Sequence, residues 1–236
     1  MSRPLSQRTL APTSRRGFFR RAGAGLGAIA AVSAFQGCDP SDDLIDDDGN
    51  GVTLDFSDDF GVLNYAYALE QLEYAFYEAV LAGSYFTGLS ASSEERQILQ
   101  DLRDHELAHV DFLNAALGNN AIGDLEVDFG SVDFSDRTSV LSTAQTLEDT
   151  GVSAYNGAGR YLSDPGLLTV AGKIVSVEAR HASAIRDVLN GGVSFAGDDV
   201  VDPTTGLDVV ATPAQVLVGA GPFITTTVRL ANVPSS

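Results

Sequence analysis

The chain has 236 residues, 44% of them hydrophobic, which is enough material for one domain with a complete core. Its formal net charge is −18, and all 32 acidic residues lie after residue 37, whereas six of the 14 basic residues lie before it. Without that basic segment the eight remaining basic residues leave a net charge of −24, which argues against nucleic acid or anionic lipid as a partner and favours a cation. The single cysteine excludes an intrachain disulfide and a metal cluster held by cysteines.

Residues 1–38 have the features of a twin-arginine signal peptide. The stretch SRRGFFR contains Arg15 and Arg16 and is followed by a weakly apolar run over residues 22–35, which is too short to span a membrane. We therefore expect export through the twin-arginine translocase to the periplasm or cell envelope. Cys38 follows this run directly, where a lipid-modified N-terminal cysteine would lie, but Phe35 and Gln36 fit a lipoprotein cleavage site poorly. A soluble and a lipid-anchored form both stay open.

Residues 39–57 form a strongly acidic stretch that we interpret as a linker. Within it, Asp46, Asp48, Asn50 and Gly51 match the first half of a calcium-binding loop. The twelfth position is Ser57, where such a loop needs a bidentate glutamate, so a solvated tether is the better interpretation.

Four apolar stretches of helical length follow, at about residues 58–82, 92–117, 136–162 and 165–189. Ser92 with Glu95 is typical of a capping box, and Asp164 with Pro165 of a helix start. The first and last pairs have short connections, whereas the middle connection is long enough to run the length of a bundle. Residues 58–190 are thus predicted to be an all-α four-helix bundle of two antiparallel hairpins, with a long crossover between helices two and three. We expect residues 191–236 to be an extension with one short helix, beginning at Thr212 and Pro213, that acts as a lid or brace.

Two of the three histidines lie in HELAH, at His105 and His109. This sequence matches the HExxH zinc motif, but no third-ligand pattern follows it. The alternative is to take Glu106 with His109 as ExxH, which places a carboxylate and an imidazole on one face of a helix. The third histidine, His181, also has a glutamate three residues before it, Glu178, so ExxH occurs twice.

Two further glutamates share a pattern with each other. Glu70 and Glu148 are each followed seven residues later by a tyrosine, Tyr77 and Tyr155, and seven residues are two helical turns. In an antiparallel hairpin, residues face each other when they lie equally far from the turn. The glutamates of each predicted hairpin lie 13 and 14 residues from their turns, so the four carboxylates are predicted to meet at one level.

The stretches LNYAYALEQLEYAFYEA, DHELAHVDFL, LEDTGVSAYNGA and VEARHASAIRDVL resemble the ferritin-like superfamily of di-iron carboxylate proteins. More narrowly, they resemble exported bacterial ferritin-like proteins related to plant desiccation-related proteins. The resemblance implies that Tyr77 and Tyr155 hydrogen-bond ligand carboxylates across the bundle. A rubrerythrin-type electron-transfer module is not implied, since no CxxC pair is present. The implied metal ligands are Glu70, Glu106, His109, Glu148, Glu178 and His181.

Four carboxylates and two neutral imidazoles carry a charge of −4, which two divalent metals cancel. Oxygen and nitrogen ligands without a thiolate suit iron, or alternatively manganese. We expect a binuclear iron site that reacts with O2 or peroxide, as a ferroxidase or a peroxidase-like oxidoreductase. A dimanganese catalase, a metal-binding stress or desiccation-protective protein without turnover, and a bundle that stays empty are the alternatives. Glu73 competes with Glu70 as a ligand, and we interpret Glu78, His105 and Arg180 as solvated or supporting groups.

Overall fold

Four long helices dominate the computed structural model, which describes residues 51–234. None of its helices is long and apolar enough to cross a membrane. The predicted all-α bundle is confirmed. The candidate signal with Arg15 and Arg16 and the candidate lipidation site Cys38 lie outside the described residues, as does the half calcium loop that begins at Asp46, except for Gly51. The bundle helices are α1 (Asp59–Ala82), α2 (Glu94–Leu117), α3 (Arg137–Ala158) and α4 (Pro165–Leu189).

Each long helix begins at a residue whose side chain accepts a hydrogen bond from a backbone N–H of the first turn. These capping residues are Asp58, Ser93, Asp136 and Asp164. The prediction that Ser92 caps α2 is wrong by one residue. Glu95, the other half of the expected capping box, instead pairs with Arg137 at the start of α3, with Nη2 2.7 Å from Oε2.

The α3 helix is shorter than the predicted stretch at 136–162. Its α-helical hydrogen bonding ends at Ala158, and Gly159–Tyr161 continue as one turn of 3-10 helix. Between α1 and α2 lies a further one-turn helix, Ser84–Gly88.

The helices pack as two hairpins, α1 with α2 and α3 with α4. The connection from α2 to α3 runs along α1. Near its beginning, the Ile122 backbone N–H donates to Asn64 Oδ1 at 2.9 Å, close to the start of α1. At its other end, Phe134 O accepts from the Tyr85 backbone N–H at 3.1 Å, just beyond the end of α1. The segment therefore spans the length of the bundle, as the predicted crossover requires.

The acidic linker predicted at 39–57 ends earlier than expected, because Gly51–Asp55 form strand β1. This strand pairs in parallel with β2 (Thr227–Ala231), and Gly51 is opposite Thr227. Val52 and Leu54 are buried against the bundle. The acidic composition of the stretch did not indicate that strand pairing buries its apolar side chains.

The C-terminal extension packs on the second hairpin. Its helix α5 (Pro213–Ala220) lies against α3 and begins with a capping box between Thr212 and Gln215. Arg186 of α4, which is buried, binds Asp149 of α3 through Nη2 at 2.6 Å and Asp199 of the extension at 2.7 Å. This ion-pair network connects the extension to both helices of the hairpin.

Candidate metal centre

The six side chains that the two ExxH motifs and the paired glutamates predict as ligands lie together at the centre of the bundle. Each helix contributes at one level, because the residues lie at matching distances from the hairpin turns. The four glutamates are fully buried, and His181 is 3% exposed. The set is Glu70 from α1, Glu106 and His109 from α2, Glu148 from α3, and Glu178 and His181 from α4.

Within this cluster two overlapping groups of ligand atoms converge. In each group the atoms lie within 4.8 Å of one another. The first group contains Glu70 and His109, the second contains Glu148 and His181, and both contain Glu106 and Glu178. Glu106 and Glu178 would therefore be available to ions held in either group.

Both histidines present Nδ1 to the carboxylates. His109 Nδ1 lies 3.0 Å from Glu70 Oε2, 3.2 Å from Glu106 Oε2 and 3.0 Å from Glu178 Oε1. His181 Nδ1 lies 2.8 Å from Glu106 Oε1 and 3.6 Å from Glu178 Oε2. A single ring N–H cannot satisfy several carboxylates at once, so these atoms surround common points rather than forming pairs.

Several of these buried atoms have no hydrogen-bond partner among residues 51–234. They include one oxygen of Glu106 and one of Glu148, both oxygens of Glu178, and Nδ1 of His181. His181 Nδ1 is close to Glu106 Oε1, but the contact lacks the angles of a hydrogen bond. Buried polar atoms without partners are costly, and cations between them would satisfy every one. The residues therefore fit a metal site.

Two tyrosines satisfy the outer oxygens of two carboxylates. Tyr77 of α1 donates to Glu148 Oε1 of α3 at 2.6 Å, and Tyr155 of α3 donates to Glu70 Oε1 of α1 at 2.5 Å. Each bond crosses the bundle, so each tyrosine orients a carboxylate of the other hairpin. Glu70 and Glu148 are thereby held with their remaining oxygens directed to the centre.

Glu73 is a further carboxyl next to these six residues. It is 3% exposed but belongs to neither converging group of the described residues, so the structure favours Glu70 over Glu73 as a ligand. A Cβ atom at Gly151 of α3 would lie only 2.8 Å from Glu73 Oε1. The glycine therefore leaves space for this carboxyl. The sequence signal was the spacing of three between Glu70 and Glu73, which puts both on one helix face.

Burial and neighbouring charge govern the ionisation of the metal-free cluster. Burial, followed by the nearby Glu178 and Glu148, raises the pKa of Glu73 well above the usual carboxyl range, which favours its protonated form. Burial alone would lower the pKa of His109, but hydrogen bonds to the surrounding carboxylates raise it to about 12. Without metal, protonated imidazoles therefore offset part of the carboxylate charge.

His105 is outside both groups, which rules against the HExxH interpretation in which it shares a metal with His109. Its ring instead contacts His181, a contact that the sequence did not predict. Glu78 and Arg180 are exposed, and Glu78 forms an ion pair with Arg103 at 3.3 Å. These two residues agree with their interpretation as solvated groups.

A small apolar cavity lies beside Tyr155. It has a volume of about 20 Å³, and Leu69, Ala66 and the ring of Tyr155 are among its lining residues. Tyr65 also lines it, and its buried hydroxyl has no hydrogen-bond partner in the described part of the chain. Because Tyr155 bonds to Glu70, the cavity is one side chain away from the converging carboxylates.

The comparison with known families agrees with this geometry. The family model of the ferritin-like domain matches residues 58–191, which is more than half of the chain and includes all four bundle helices. A comparison with curated proteins finds no significant match. The match to the family model covers all six converging residues, and the chain therefore belongs to the ferritin-like domain family.

Proposed function

We propose that this protein binds two iron ions in the central cluster and reacts with O2 or peroxide. The observation that carries the proposal is the set of inward-facing carboxylate and imidazole atoms that are buried without hydrogen-bond partners. Four ionised carboxylates and two neutral imidazoles carry −4, which two divalent cations neutralise.

The donor set supports iron, with manganese as the alternative. Carboxylate oxygens and imidazole nitrogens without a thiolate suit these metals. Two bound ferrous ions would each give up one electron, which is enough to reduce O2 to peroxide, or peroxide to water, with two protons taken up in each case. The apolar cavity beside Tyr155 suits a small apolar molecule such as O2 better than water, which needs several polar partners.

Anaerobic titration of the metal-free protein with Fe(II), followed by rapid mixing with O2 or with hydrogen peroxide, tests the proposal. We expect two Fe(II) per chain and oxidation of both by at least one oxidant. His109→Ala and His181→Ala should each lower the stoichiometry, whereas Arg180→Ala, an exposed neighbour of His181, should not. Unchanged metal content in both histidine variants would show that the cluster is not the site.

The same experiment separates the alternatives. Two bound metals that neither oxidant affects indicate a metal-binding protective protein without turnover. Loading with Mn(II) and measuring O2 evolution from peroxide tests the dimanganese catalase. Failure to bind either metal contradicts the proposal altogether.

We also infer that the protein is exported folded, with its metals already bound. The support is the SRRGFFR stretch, because the twin-arginine route generally carries folded proteins, and a closed bundle would shield its ligands from copper and zinc outside the cell. Replacing Arg15 and Arg16 by lysine should retain a metal-loaded precursor in the cytoplasm. Fusion to a signal for unfolded export should give zinc, copper or empty sites, and the same iron or manganese content in both would contradict loading before export. Cys38→Ser tests lipidation by loss of partitioning into detergent.

A further inference from the structure

His105 joins α2 to the metal-facing histidine of α4. Its Nδ1 lies 2.9 Å from Nε2 of His181. The two ring planes are within 10° of each other, and the ring centroids are 5.1 Å apart. A centroid spacing so much longer than the nitrogen separation, between nearly parallel rings, means that the rings lie almost in one plane. The contact is therefore an edge-to-edge hydrogen bond rather than a face-to-face stack.

The proton positions follow from the site geometry. His181 Nδ1 faces Glu106 and Glu178, so Nδ1 is the nitrogen that must be free of a proton to bind a cation. The ring proton of a neutral His181 then lies on Nε2, where it is donated to Nδ1 of His105. A ligand histidine whose second nitrogen is bonded in this way has its tautomer and its ring orientation fixed.

The other ligand histidine lacks this support. Within residues 51–234, the polar contacts of the His109 ring all use Nδ1. His105 lies four residues before His109 on α2, and the position four before His181 on α4 is Val177, whose side chain has no acceptor. The two ligand histidines therefore differ, since only the second ring nitrogen of His181 has a hydrogen-bond partner among the described residues.

The geometry points to His105 as a positioning residue for one of the two metal positions, the one that contains His181, so that the two positions differ in affinity. This inference rests on the proposed function, since it assigns a role within the same site. Substitution of a residue that orients a ligand histidine typically weakens metal binding roughly 10- to 100-fold. Loss of His105 should affect one metal position by that factor and leave the other unchanged.

Two variants of similar size separate this role from a structural one. His105→Leu removes the acceptor, whereas His105→Asn keeps an oxygen close to the place of Nδ1. His105 is exposed, so neither change disturbs the core. Asparagine is a poorer helix former than leucine, so a purely structural effect would make His105→Asn the weaker variant. The positioning role predicts the opposite order.

The test is titration of the metal-free full chain with Co(II), followed by its visible absorption. We expect two bound ions in the wild type and roughly 10- to 100-fold weaker binding of one ion in His105→Leu. His105→Asn should retain affinity close to that of the wild type. In a His181→Ala background, His105→Leu should cause no further loss, whereas in a His109→Ala background it should weaken the remaining position.

Each other outcome overturns the assignment. Unchanged binding in His105→Leu, equal weakening of both positions, or equal loss in His105→Asn and His105→Leu excludes His105 as the positioning residue while leaving the binuclear site intact. A wild-type protein that binds no Co(II), Fe(II) or Mn(II) overturns the proposed function and this inference with it. The wild-type titration thus distinguishes the two failures.

Discussion

The bundle without metal should melt roughly 10–20 °C below the same bundle at a saturating concentration of metal. Ions that bind only the folded state stabilise it by about 2.7 kcal/mol per site when their free concentration is 100 times the dissociation constant, and two sites give about 5 kcal/mol. For a domain of about 150–250 residues, each kcal/mol corresponds to about 2–4 °C. In the metal-free state, several carboxylate oxygens at the centre of the bundle are also buried without hydrogen-bond partners among the described residues, which destabilises that state.

Scanning calorimetry of the metal-stripped and reconstituted full chain measures this shift. His181→Ala keeps the group formed by Glu70, Glu106, His109 and Glu178, so reconstitution should give it about half of the gain. Arg180→Ala, next to His181 but exposed, should give the whole gain. Equal melting temperatures of the stripped and reconstituted wild type at saturating metal would refute the reasoning.

Three further predictions concern the site and the packing of the C-terminal extension. Tyr155→Phe removes a buried hydrogen bond to Glu70, so the free energy of unfolding, measured with denaturant, should fall by about 1.5–3 kcal/mol. A fall of less than about 0.5 kcal/mol would show that this hydrogen bond does not stabilise the fold. Although burial alone would lower it, the surrounding carboxylates raise the folded-state pKa of both site histidines, so metal binding must displace their protons. The affinity for metal should therefore increase with pH, and calorimetry in buffers of different ionisation enthalpy should show proton release. An affinity that does not depend on pH would contradict this prediction. Gly157→Ala places a Cβ 1.9 Å from the carbonyl oxygen of Ala211 and should cost about 1–3 kcal/mol, with faster proteolysis of the C-terminal extension. Gly172→Ala, where nothing lies within 4 Å on an exposed helix face, should instead stabilise by up to about 1 kcal/mol, and equal effects of the two changes would refute the close approach.

Periodicity and spacing determined much of the site in advance. A spacing of three or seven residues on a helix fixes which side chains share a face, whatever that helix packs against. For this reason the sequence predicts that the glutamate and histidine of each ExxH motif share one helix face. It likewise predicts that Tyr77 lies on the face of Glu70, and Tyr155 on the face of Glu148. Equal distances from the turns then set all four carboxylates at one level, since short connections force neighbouring helices to be antiparallel.

The choice between equivalent positions on one helix face was decided only by packing. Glu70 and Glu73 share a face of α1, and the space opposite Glu73 exists because Gly151 lies on α3 at that height. The sequence left open whether His105 is solvated or supports the site, and the packing of α2 near α4 decides this by placing its Nδ1 2.9 Å from His181 Nε2.

Contacts between segments far apart in the chain leave no periodic signal. The strand Gly51–Asp55 reads as an acidic linker because its pairing partner, Thr227–Ala231, lies at the other end of the chain. A strand of five residues gains its stability from the ladder and from the core beneath it, not from its own composition. Helical spacing is a local property of the backbone, whereas strand pairing and the contacts of single side chains across the bundle depend on which elements the tertiary structure brings together.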